Sequence, residues 1–162
     1  MIVIVKTFGS TELYPTNLAT MRRTDIPDLI SFLLILMFSY AAFSKLIAFN
    51  NYKIEMHRQP VPKWSVDYLI VLIPASELVT IAAMLFRKTR MIGFFSAAFL
   101  MLVFTVYVVL AMTGAFGKVP CACGGIINNL SWGQHLVFNL IFLSLSVYGV
   151  IINEKERRFI GK

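Results

Sequence analysis

The sequence predicts an all-α fold, an integral membrane bundle of four transmembrane helices. Three observations carry this. Of 162 residues, 58% are hydrophobic and only 14% charged, whereas water-soluble domains carry about 25% charged residues. The apolar residues fall into four runs, 29–49, 66–86, 91–113 and 132–152, each close to the roughly 20 residues that cross a hydrocarbon core. The runs also lack the polar face that a surface helix of a soluble protein keeps. The net charge of +7 sits between the runs, where membrane topology places it, so no nucleic-acid partner is expected.

Residues 1–25 lack a helical period. Gly9, Ser10, Pro15 and Asn17 interrupt them, and a poorly ordered tail is expected. Met21-Arg22-Arg23 ahead of the first run would itself begin a membrane protein, so residues 1–20 are expected to matter little. A cleaved signal peptide is not expected, because its apolar core would be only about 7 to 15 residues. The membrane domain is expected over 26–153, followed by a basic tail over 154–162.

The first run is interrupted only by Lys45; the second has Asp67 at its edge and Glu77 inside; the third has no charge. Arg87-Lys88-Thr89-Arg90 cannot enter hydrocarbon, so runs two and three form a tight hairpin. Gly114 and Gly117 end the third run, and Pro120 forbids its continuation. Ser131-Trp132-Gly133-Gln134 has the spacing of a capping box that starts the fourth helix.

Ten Lys and Arg residues lie on the side of the termini and the 87–90 turn; Lys53, Arg58, Lys63 and Lys118 lie on the other. That bias puts both termini in the cytoplasm. Trp64, Tyr68 and Trp132 then form an outer interfacial belt. The expected location is a bacterial inner (cytoplasmic) membrane, with residues 50–65 and 114–131 facing an oxidising periplasm.

Both cysteines of the chain stand in one stretch, Cys121-Ala122-Cys123-Gly124-Gly125. A disulfide needs Cα atoms about 4.4 to 6.8 Å apart, which two positions along a turned chain can meet. The ring would be tight, and strain makes such a bond easier to reduce. The following helix N-terminus favours a thiolate, and His135 in its first turn is a candidate thiolate stabiliser. These features suit a redox pair that exchanges. A static bridge is the plainer alternative, though it would close too short a loop to constrain much of the unfolded chain. Inert thiols are another. Copper or zinc held by Cys121, Cys123 and His135 is a third, with Met112 the nearest methionine.

Glu77 falls near the bilayer midplane, where an ionisable group usually faces the bundle interior with a partner. Lys45 is the natural partner if it reaches inward instead of snorkelling. The pair either holds helices together or lines a polar pocket for a proton or a quinone headgroup. Pro74 frees a backbone carbonyl nearby and would widen such a pocket. His57 reads as a solvated loop histidine.

Phe43-Ser44-Lys45-Leu46 and Leu72-Ile73-Pro74-Ala75-Ser76-Glu77-Leu78 resemble patterns of DoxX-like membrane proteins. Pro120-Cys121-Ala122-Cys123-Gly124-Gly125, followed by Leu130-Ser131-Trp132 and His135, resembles the methylamine utilisation protein MauE branch. The resemblance covers about residues 29–152. It implies a four-helix protein tied to periplasmic thiol–disulfide chemistry and to a thioredoxin-like partner. The family is linked to maturation of a disulfide-rich methylamine dehydrogenase subunit. Two roles of different class follow. One is a disulfide-relay component that passes electrons directly to a membrane acceptor or to another outward-facing thiol protein. The other is a non-catalytic subunit that stabilises a periplasmic redox protein.

Overall fold

The computed structural model describes residues 25–114 and 131–160. The cysteine stretch and the N-terminal tail, with the expectations attached to them, lie outside the described residues. The elements are α1 (Asp25–Ile47), α2 (Phe49–His57), α3 (Lys63–Leu85), α4 (Arg90–Met112) and α5 (Trp132–Ile160). Helices α1, α3, α4 and α5 are each long and apolar enough to cross a membrane. They run up, down, up and down, and α1–α3, α3–α4, α4–α5 and α5–α1 are the neighbouring pairs of a closed ring. The protein is thus a multi-pass, four-helix membrane bundle. Side chains such as Phe32, Val71, Phe99 and Ile141 point away from the bundle and are exposed, as a lipid-facing surface requires.

Helix boundaries follow local chemistry. Helix α1 stops at Ile47, short of the end expected from its apolar run, because Ala48 leaves helical geometry (φ −98°, ψ 38°). The chain then re-enters a helix. Tyr52 and Met56, one turn apart, are buried against Val66 and Ile70 of α3, so part of the first loop is an amphipathic helix packed on the bundle. Helix α3 starts at Lys63, three residues ahead of the apolar run; the Pro62 carbonyl just before it accepts from the Ser65 amide (2.9 Å) and the Ser65 hydroxyl (2.8 Å). Helix α4 ends as its sequence requires: Gly114 adopts φ +73°, a left-handed conformation that glycine takes without penalty. At α5 the capping box forms reciprocally. The Ser131 amide donates to Gln134 Oε1 at 2.9 Å, and the Gln134 amide donates to Ser131 Oγ at 3.4 Å. Helix α5 continues to Ile160, beyond the end of its apolar run at Ile152. Glu154, Lys155, Glu156, Arg157 and Arg158 are good helix formers, so the helix runs on where the apolar residues cease.

The main core lies toward the end of the bundle that holds the α3–α4 turn. Ile30, Leu34 and Phe38 of α1 meet Met84 of α3 and Phe94, Ala97 and Met101 of α4. At the same end Asp28 pairs with Arg90 and, at 3.3 Å, with Arg87, tying the start of α1 to the α3–α4 turn. Arg87 is 83% exposed at its side chain and Arg90 only 12%. Water screens an exposed pair, and its removal costs about 0–1 kcal/mol. We therefore expect Arg87→Ala to leave the thermal midpoint of the detergent-solubilised protein nearly unchanged, and Arg90→Ala to lower it measurably. Equal shifts would contradict this account.

Candidate functional site

Between the apolar core and the packed α2, the ring of helices forms a partly open cavity of about 250 Å³. All five helices reach it. Most of its wall is apolar, with Phe38 and Ala41 from α1, Met56 from α2, Ile73 from α3, Phe104 from α4 and Phe138 from α5. Set into this wall are Lys45, Tyr52, Gln59, Glu77, Tyr107, His135 and Asn139.

Lys45 and Glu77 form the expected pair, the lysine reaching inward. Lys45 Nζ donates to Glu77 Oε1 at 2.8 Å and to the Ala41 carbonyl at 3.0 Å. Their side chains are 6% and 1% exposed. The geometry has a simple cause: a helical side chain tilts toward its own N-terminus. Helices α1 and α3 are antiparallel, so Lys45 leans into the bundle from its end while Glu77 leans up to meet it. The lysine therefore points inward and does not snorkel. The second carboxylate oxygen, Glu77 Oε2, is buried and has no hydrogen-bond partner among the described residues.

His135 reaches the same cavity from the first turn of α5. Its amide donates to the Ser131 carbonyl at 3.0 Å, so the capping box that starts the helix also sets the direction of this ring. His135 is 4% exposed, and neither ring nitrogen has a partner among the described residues. Asn139 follows one turn later on the same face, also buried. On α4, the Tyr107 hydroxyl donates to Gln59 Oε1, while Gln59 Nε2 donates to the Glu55 carbonyl at 3.0 Å. This clamps the segment after α2 over the cavity.

The sequence-derived candidates thus divide into two groups. Lys45, Glu77 and His135 share one cavity, although the sequence reading placed His135 with the cysteines and the other two in a separate pocket. Cys121 and Cys123 lie outside the described residues. His57 sits in the last turn of α2, half exposed, with Nδ1 at 2.9 Å from the Lys53 carbonyl and Nε2 at 3.8 Å from Asp67. It takes no part in the cavity. Pro74 is buried in α3 between the cavity-lining residues Ile73 and Glu77. Tyr52, Gln59, Tyr107 and Asn139 were not singled out from the sequence. For Asn139 a signal existed, since it repeats His135 at a spacing of four. Among the described residues no group of three His, Cys, Asp or Glu side chains could hold a metal ion.

Chemically the cavity offers donors on two helices, Lys45 Nζ and the His135 ring, and an open acceptor at Glu77 Oε2. Such groups buried in an apolar wall can hold an oxygen-bearing ligand and exchange protons with it. A search of curated proteins and one of solved structures gave no match. The family model described as methylamine utilisation protein MauE matches residues 23–152, which takes in α1, α3 and α4, the cysteine stretch and α5 as far as Ile152, and the chain belongs to that family.

Proposed function

We propose that this protein is the membrane component of a thiol–disulfide exchange system, with Cys121 and Cys123 as its redox pair and a thioredoxin-like periplasmic protein as its partner. The observation that carries this reading is the position of the two cysteines, the only ones in the chain. They fall in the segment joining the antiparallel helices α4 and α5, ahead of a capped helix N-terminus. Helix N-termini favour anions, a thiolate among them. Membership of the MauE family fits a membrane role and links the chain by name to methylamine utilisation.

The exchange proceeds in two steps. A partner thiolate attacks one sulfur of the Cys121–Cys123 disulfide; a mixed disulfide forms and the other sulfur leaves as a thiolate. The partner's second thiol, deprotonated, then attacks its own sulfur in the mixed disulfide and releases the pair. The partner has lost two electrons and two protons; the pair has gained them as two thiols. Arg87, Lys88, Arg90 and Lys155 lie at the end of the bundle away from this segment. The excess of basic residues there supports a bacterial inner membrane orientation with both termini inside.

Thiol trapping in intact, acid-quenched cells tests this. With a membrane-impermeant mass-tagged maleimide, we expect two tags only after reduction, and a shift in the tagged fraction under reductive or oxidative stress. Cys121→Ser should trap a mixed disulfide on Cys123. Tags that appear only after the membrane is broken would overturn the orientation and the exchange reading together. An assembly fully active with Cys121→Ser and Cys123→Ser would assign the chain a stabilising role without chemistry.

A further inference from the structure

We infer that the cavity between the helices binds a quinone headgroup, held by His135 and Lys45. Three features of the cavity select this class of ligand. Its size is right: an apolar cavity of about 150 Å³ takes a benzene ring, so about 250 Å³ accommodates a ring carrying oxygen substituents. Its wall is right: Phe38, Ile73, Phe104 and Phe138 offer apolar surface to a flat ring. Its polar groups are right, because they are donors on different helices with unused capacity. Both His135 nitrogens are buried and unpartnered among the described residues, and a buried polar group left unmet is costly. A ligand with carbonyl oxygens on opposite sides of a ring meets donors from α5 and α1 at once.

Other occupants fit less well. A lipid tail satisfies the wall and leaves the histidine and carboxylate unmet. Water satisfies the polar groups, but each molecule needs two to four polar partners, and most of this wall offers none. A quinone also arrives through the bilayer, where the cavity lies.

The electron-transfer step rests on the thiol-exchange reading; the binding does not. In that step two thiols lose two electrons and two protons and close to a disulfide. The quinone gains both electrons, and a proton ends on each ring oxygen, giving the quinol. His135 is placed to hand on one such proton. Glu77, whose Oε2 has no partner among the described residues, is placed to take up the other and pass it to the second ring oxygen.

The test is binding of a benzoquinone with a decyl tail to the full chain in lipid nanodiscs, measured against empty nanodiscs to subtract partition into lipid. We expect saturable binding near one per chain. His135→Leu, which keeps bulk and removes both nitrogens, should weaken it at least tenfold. Ala41→Phe, which fills the cavity from α1 while keeping both His135 and Lys45, should abolish it. Cys121→Ser combined with Cys123→Ser should leave it unchanged, so the site stands or falls apart from the thiol chemistry. Uptake by the wild type equal to that of empty nanodiscs would overturn the proposal. Equal binding by wild type and by either cavity variant would do the same. The two variants alter different helices, so the test stays decisive if one of them fails to accumulate.

Discussion

Replacing Lys45 by methionine is expected to destabilise the protein by about 3–5 kcal/mol and to remove most of it from the membrane. Methionine matches the length of the lysine stem, so packing changes little; the loss comes from Glu77. Its side chain is 1% exposed, and one carboxylate oxygen already lacks a partner among the described residues. Without Lys45 the other oxygen loses its partner too, and breaking one side of a buried ion pair carries a cost of that size. Glu77→Gln is expected to be milder, because the amide oxygen still accepts from Lys45 Nζ. The informative variant is the double, Lys45→Met with Glu77→Gln, which takes both charges out of the bundle. Burying two charges is itself unfavourable, so the double should recover more than half of the loss. Membrane abundance and thermal midpoints in detergent give the cycle. A double variant no more stable than Lys45→Met would show that the lysine acts through packing and not through Glu77.

The four spans were legible because each is an apolar run of membrane length with at most two charged residues in it. Their ends were legible where one residue enforces them, as Gly114 does at α4 and the Ser131–Gln134 pair does at α5. The Lys45–Glu77 contact could be read as the natural pairing of neighbouring antiparallel helices, on condition that the lysine reach inward. Helix α2 could not. Its two inward residues, Tyr52 and Met56, lie among Asn50, Asn51, Lys53 and Glu55, and a single apolar pair one turn apart is too little to mark a face. The joining of His135 to the Lys45–Glu77 pair was hidden for a different reason. It depends on α5 packing against α1 to close the ring, and on the rotation of α5 that the capping box sets. Neither is a property of any one segment. Sequence spacing therefore located the polar groups along each helix, while only the assembled ring shows that they share a cavity.

Two glycines set how closely α4 can approach its neighbours, and they are expected to fail differently when a methyl group is added. A Cβ on Gly93 would lie 2.6 Å from Met84 Cγ, 2.9 Å from Met84 N and 3.1 Å from Met84 Cα. A Cβ on Gly149 would lie 2.5 Å and 2.6 Å from ring carbons of Phe94. Both contacts are far inside van der Waals distance, and membrane helices rely on such small residues for close packing. Overpacking of this kind costs about 1–3 kcal/mol, occasionally more. The obstacles are not alike. At Gly149 the obstacle is a side chain, so Gly149→Ala should be recovered in large part when Phe94 is shortened to leucine. At Gly93 the obstacle includes the backbone of α3, which no substitution removes. Gly93→Ala should therefore stay destabilised even with Met84→Ala, because the helices themselves must move apart. Thermal midpoints of the four variants and the two pairs decide it. Recovery of Gly93→Ala by Met84→Ala would mean that the two backbones are not in close contact, and the tight α3–α4 packing described above would have to be given up.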